Sequence, residues 1–218
     1  MTGAPVLLVT SSYRGRHNAL PVAYAMVLSI VPPLIGIAIH PSRHSYDVIR
    51  KTEEFAINIP TRELLHHVQY LGTLSGVDFD KLELTKLPSF RARLLDTILL
   101  EGCVGWVECS VQDAIEMGDH FLIVGRVVAV SADDDAFDGS WKLDENDLKP
   151  LHYLGANHYA VLDYVMDARI PQSAEEYGKR LDEAVQEQLE IGKDDAERRD
   201  EMEYERDEFR KREGFERS

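Results

Sequence analysis

Apolar residues over the first 170 positions fall in short runs separated by turn signals, and few of the gaps between them leave room for a helix. PVLLVTSSY (5–13) is the first run, and Arg14-Gly15-Arg16 with Asn18 suits the turn that closes it. PVAYAMVLSI (21–30) reads as a second strand, halted by Pro32-Pro33 because proline cannot continue a regular ladder. LIGIAIH (34–40) is continuously apolar, as expected of a strand covered on both faces. FAINIP (55–60) is another strand. Residues 98–113 and HFLIVGRVVAVSA, from His120, predict two long strands joined as a hairpin around Met117-Gly118-Asp119. LHYLGANHYAVLDY (151–164) supplies short closing strands. Helical spacing occurs in SYDVIRKTE (45–53) and in TRELLHHVQYLG (61–72), where Leu64, Leu65, Val68 and Leu71 share a face. Many strands, few helices and no alternating strand–helix rhythm predict a mainly β protein: a closed antiparallel barrel with inserted helices.

The chain has 218 residues, enough for one domain with a full core and an appendage. Its composition changes near Pro171, after which both charge signs crowd together and large apolar residues become rare. This predicts a domain over 1–170 and a charged helical extension over 171–218. Leu181, Val185 and Leu189 recur every four residues, a narrow stripe on which the first helix of the extension would dock. Farther on, opposite charges at three- and four-residue spacing suit a solvated helix.

A net charge of -15 repels phosphate on average and argues against nucleic-acid or anionic-membrane partners. Cys103 and Cys109, six positions apart on one predicted strand, would lie roughly 20 Å apart on the same face. That is too far for a disulfide, and two buried thiols suit a reducing compartment. MTGAPVLLV lacks the basic flank of a secretion signal, and no apolar run reaches membrane-spanning length, so a cytoplasmic protein is expected. His66 and His67 diverge by about 100° on their helix and cannot share a metal, and no metal site is expected. Neither the dinucleotide-binding glycine fingerprint nor a P-loop occurs.

The polar stretch Pro41-Ser42-Arg43-His44-Ser45 lies between an apolar strand and a helix start. Free N–H groups and the positive end of the helix dipole favour an anion there. Ser42 or Ser45 acting only as a helix cap is the other reading of the same residues.

The order N-x-x-x-V-A-Y-A-M-V-L-S-I-V-P-P, H-P-S-R-H-S, F-A-I-N-I-P, L-S-G-V-D-F-D-K-L and G-D-H-F-L-I-V-G-R-V-V resembles the flavin reductase-like family of FMN-binding split barrels. The likeness spans most of residues 4–165 and stops before the charged extension. It implies a Greek-key split barrel binding FMN, with NADH or NADPH as hydride donor and a small molecule or protein as electron acceptor. It also implies a homodimer with the flavin near the subunit interface. By resemblance, the flavin phosphate would lie against Ser42, Arg43, His44 and Ser45. The isoalloxazine edge would meet Met26, Val27, Leu28 and Ser29, with Asn58 as a further contact. Ser75 and Lys81 would border the phosphate side, where Lys81 pairing with Asp78 or Asp80 is the alternative. His120 would be the catalytic candidate, near the flavin or nicotinamide. A flavoredoxin-like electron carrier with little NAD(P)H oxidation is the other function this family implies.

Overall fold

The structure, a computed structural model, describes residues 3–144 and 148–166, and beyond them positions 173, 175, 178–183, 185, 186 and 190. Strand β1 (Ala4–Pro5) leads into β2 (Leu7–Tyr13), which folds back on β3 (Arg16–Val22). Arg14 and Gly15 between them both take positive φ, 53° and 76°, as a two-residue hairpin turn of the I′ type requires. Next come β4 (Ala25–Ser29), β5 (Leu34–Ile39), helix α1 (His44–Thr52) and β6 (Glu54–Pro60). Helices α2 (Leu65–Thr73) and α3 (Lys81–Thr85) precede the small hairpin β7 (Ser89–Arg91) and β8 (Ile98–Leu100). The long hairpin β9 (Cys103–Met117) and β10 (His120–Ala132) follows, then β11 (Leu151–Gly155) and β12 (His158–Val161).

Seven strands form one antiparallel sheet in the order β3-β2-β6-β9-β10-β5-β4. Its end strands β3 and β4 are separated in sequence by only Ala23 and Tyr24. Laid flat, six strand gaps would put those ends about 29 Å apart. The three residue steps from Val22 to Ala25 reach only about 11 Å. The sheet therefore curls until its ends meet, and the Ala38 N–H donates to the Tyr24 carbonyl at 2.8 Å beside that joint. A smaller sheet, β1-β11-β12, lies alongside.

Side-chain alternation divides the core. Leu7 and Val9 of β2 join Ile37, Ile39, Ile49, Phe55, Ile57 and Ile123 in one cluster. Leu8, between them, packs with Val68 and Leu71 of α2, Leu100 and Leu151 in another. Both faces of β2 are thus covered over its first half, which accounts for the continuous apolar run at 6–9.

The structure departs from the sequence-based expectations at several places. PVAYAMVLSI is two strands, because the chain turns from one end of the sheet to the other at Ala23-Tyr24. Residues 98–113 also divide, with β8 pairing β7 while β9 runs on to Met117. Cys103 and Cys109 are free and buried, but in different core clusters rather than on one face. Helix α1 begins at His44 with Arg43 at its cap position, and neither Ser42 nor Ser45 caps it. Helix α3 and the β7–β8 hairpin, too short to show a period, were not foreseen. The compact unit that carries the barrel ends at Val165. In the extension, 178–183, 185 and 186 are helical, and Leu181 and Val185 are exposed. Leu189 and the charged segment after 190 lie outside the described residues, as do 167–172, where the domain boundary was expected.

Gly125 of β10 is a tight point of the barrel: a Cβ there would come within 2.5 Å of Phe55 and 2.9 Å of Cys109. Gly125→Ala should lower stability by about 1–3 kcal/mol, read from the urea midpoint.

Candidate functional site

The register of two strands builds the site. Phe121 of β10 pairs with Ile39 of β5, so the residues just past that pair, His120 and His40, come side by side. Their ring centroids are 5.4 Å apart and nearly perpendicular. Tyr24, at the barrel joint, contacts His120 edge-on at 5.8 Å. Asp119 Oδ1 lies 2.7 Å from His120 Nδ1. That hydrogen bond and the His120 charge hold the Asp119 carboxyl below its ordinary value.

These groups open onto a cleft of about 700 Å³. One wall is the barrel rim: Leu20 to Tyr24, Ala38 to His40, Ser42, Arg43 and His120. The opposite wall joins α2 to the β11–β12 hairpin. There the Tyr159 hydroxyl donates to Gln69 Oε1 at 2.8 Å, and Gln69 Nε2 donates to Asn157 Oδ1 at 3.1 Å. The cleft lies within the size range of sites for cofactors and drug-sized ligands.

Behind Ser42 and Arg43 lies a group of cations. Lys81 is 3% exposed, and its ammonium donates to the Ala19 and Leu71 carbonyls at 3.1 and 2.9 Å. An ammonium has three donors, so one remains. Burial, and then the Arg43 charge, lower the Lys81 pKa to about 8. His44 is also lowered, first by burial and then by Arg16, Lys81 and Lys51, against an upward pull from Asp47. Among the described residues no carboxylate forms an ion pair with Arg16, Arg43 or Lys81. Asn18 Nδ2 donates to Ser45 Oγ at 2.6 Å, while Asn18 Oδ1 is buried with no partner among the described residues. Gly76 lies against Asn18 and His44 so closely that a Cβ would collide with both. Unpaired cations around an uncapped helix start suit a multiply charged anion.

The sequence-derived candidates are thus dispersed. Ser42, Arg43 and His120 line the cleft, and His44, Ser45 and Lys81 stand at the cation group behind it. Asp80 does not pair with Lys81; it caps α3, accepting from the Leu82 and Glu83 N–H groups. Ser75 Oγ accepts from the Val77 N–H in the adjoining loop. Asn58 is fully buried, donating to the Leu8 carbonyl and Thr10 Oγ1 and accepting from the Leu100 N–H, so its polar groups are used within the barrel. Met26, Val27, Leu28 and Ser29 do not line the cleft; Met26 and Val27 are 63% and 71% exposed on β4. Arg16, Asn18, His40, Tyr24 and the Tyr159–Gln69–Asn157 chain were missed. Only tertiary pairing brings them to the site, although His40 opens the quoted H-P-S-R-H-S motif. Among the described residues no three His, Cys, Asp or Glu side chains group to hold a metal, and no helix is long and apolar enough to cross a membrane.

A closed antiparallel barrel with a polar loop at one end of a ligand-sized cleft defines the class of the split barrels. The model of the flavin reductase like domain matches residues 2–161, and the chain belongs to that family. It is 33% identical over 133 residues to an uncharacterised protein of Pyrococcus abyssi, covering 61% of this chain and 76% of that one. Among solved structures it is similar to the FMN-binding protein from Thermus thermophilus with bound 1-cyclohex-2-enone, at 28% identity and a TM-score of 0.69, covering 76% and 90%. The flavoredoxin of Desulfovibrio vulgaris shares the fold, at 21% identity and a TM-score of 0.71, covering 79% and 93%.

Lys81 gives the ligand-free protein a characteristic pH response. Between about pH 8 and pH 10.5 the folded chain holds fewer protons there than the unfolded chain, so stability rises with pH across that window. Lys81→Met should remove that part of the slope, on the order of 3 kcal/mol over the window, in urea titrations at successive pH values.

Proposed function

We propose that the cleft binds FMN, and that the protein is an oxidoreductase taking hydride from NADH or NADPH and passing electrons to a further acceptor. The observation that carries this reading is the group of Arg16, Arg43, His44 and Lys81 at the uncapped start of α1, of which Arg43 reaches the cleft wall beside Ser42. Arg43 and Ser42 would hold the phosphate with the remaining Lys81 donor and the first N–H groups of α1. Phosphate charge would also offset the burial that lowers Lys81, so binding would weaken as pH rises through about 8. Bound FMN supplies the two-electron redox chemistry.

At the other end of the same rim, Asp119 occupies His120 Nδ1 and leaves Nε2 for a ligand in the cleft. His120 would orient the nicotinamide for hydride transfer, a geometric task in which small misplacements are costly. With no dinucleotide-binding glycine fingerprint in the sequence, the donor would enter by the open side of this cleft. Free buried Cys103 and Cys109 fit a reducing cytoplasm.

The barrel's exposed apolar strip favours a homodimer. Tyr24, Met26, Val27, Ile30 and Val31 are 61%, 63%, 71%, 83% and 89% exposed along β4 and its turns. Tyr24 also lines the cleft, so a second copy on this strip would bring the seam to the flavin. Val27→Asp should give a monomer by light scattering at micromolar concentration.

Anaerobic mixing with NADH and NADPH tests the activity: flavin absorbance should bleach with at least one of them. No bleaching of a tightly bound flavin would favour the flavoredoxin-like carrier. Arg43→Ala should weaken FMN by ~10- to 100-fold while leaving riboflavin nearly unchanged, because only FMN carries the phosphate. His120→Ala should keep FMN and slow bleaching by ~10- to 100-fold.

A further inference from the structure

His40 touches both ends of the rim. Its Nδ1 is 3.1 Å from the Ser42 N and 2.8 Å from the Ser42 Oγ. An amide N–H can only donate, so Nδ1 accepts and the ring proton sits on Nε2. Pro41 has no N–H, so the Ser42 donor is the first the ring can reach, and the contact closes a hook two residues long, like an Asx turn. The same ring packs edge-to-face with His120. His120 is held in turn by Asp119 and Tyr24. One imidazole therefore bridges the loop bearing Ser42 and Arg43 and the histidine at the redox end.

We propose that His40 is a positioning residue that relays occupation of the anion loop to His120. An anion taking the Ser42 N–H and hydroxyl withdraws both partners of His40 Nδ1. The imidazole is then released from the loop and reseats against His120. The relay rests on the anion-loop reading given above. It couples phosphate recognition to the geometry in which hydride would be transferred, so a flavin without phosphate would leave His120 in its unliganded setting.

The test uses full-length, flavin-free protein with 15N-labelled histidine and backbone, and inorganic phosphate as the probe. In the wild type, the ring signals of His40 and His120 should move together with the Ser42 amide, with one midpoint. In His40→Asn the carboxamide oxygen can still accept the Ser42 N–H, so phosphate should shift the Ser42 amide with a midpoint within about twofold of wild type. The His120 shift should be largely lost, because the imidazole that carries the displacement to it is gone. His40→Ala, lacking the acceptor, should also move the Ser42 midpoint. A wild-type His120 that does not respond, or one that responds undiminished in His40→Asn, overturns the relay. If phosphate leaves the Ser42 and Arg43 amides unmoved, the anion-loop reading fails and the relay with it.

Discussion

Barrel closure across Ala23-Tyr24 is the constraint on which the site depends. The chain leaves β3 at one end of the seven-strand sheet and enters β4 at the other, two residues later. That step brings Tyr24 and the end of β3 to the rim where β5 runs out into the polar loop. The β5–β10 register then sets His120 beside His40. The polar loop 41–45, the two histidines and the floor of the cleft come from segments that a flat sheet would hold far apart. Filling the barrel is part of the same constraint, since Phe55 can occupy the interior only where Gly125 leaves it room.

Electrostatics at the loop run against the rest of the chain. A molecule of net charge -15 attracts no anion by its mean field, so an anion proposed at this loop would need specific donors at short range. Burying Lys81 without a carboxylate partner costs stability, and its lowered pKa expresses that cost. Two backbone carbonyls offset part of the cost and point the ammonium. What remains is a donor whose desolvation is already complete before a ligand arrives, a form of preorganisation.

Local chemistry in the sequence foretold local structure well. Apolar runs bounded by turn residues located β2, β5, β6 and the β9–β10 hairpin, and Gly118-Asp119 marked its turn. Leu64, Val68 and Leu71 of the predicted helical face are buried, while Leu65 packs at the edge of the same cluster. The polar loop 41–45 stood out because four donor-bearing residues in a row serve no core. What stayed hidden was non-local. Nothing in PVAYAMVLSI reveals that its middle crosses from one end of the sheet to the other. Asn58 sits in a motif and looked like a ligand contact, but an isolated amide inside an apolar strand also satisfies neighbouring strands, and here it links β2 and β8 to β6. Arg16 and Asn18 looked like turn residues, since their approach to Ser45 and His44 depends on α1 packing against β2 and β3.

The same limit explains the residues on β4. A strand with one face on a core and one in water alternates apolar with polar residues. Here Leu28 covers Gly36 of β5, while Met26 and Val27 are exposed and apolar as well. Ile30 and Val31 extend that surface through the turn. Period-two reading cannot separate a strand buried on both faces within one chain from a strand whose second face awaits another chain. The barrel is closed without these side chains, so their apolarity is not explained by its interior. That apolar surface begins at Tyr24, itself a cleft residue, so the strip is continuous with the cleft rim.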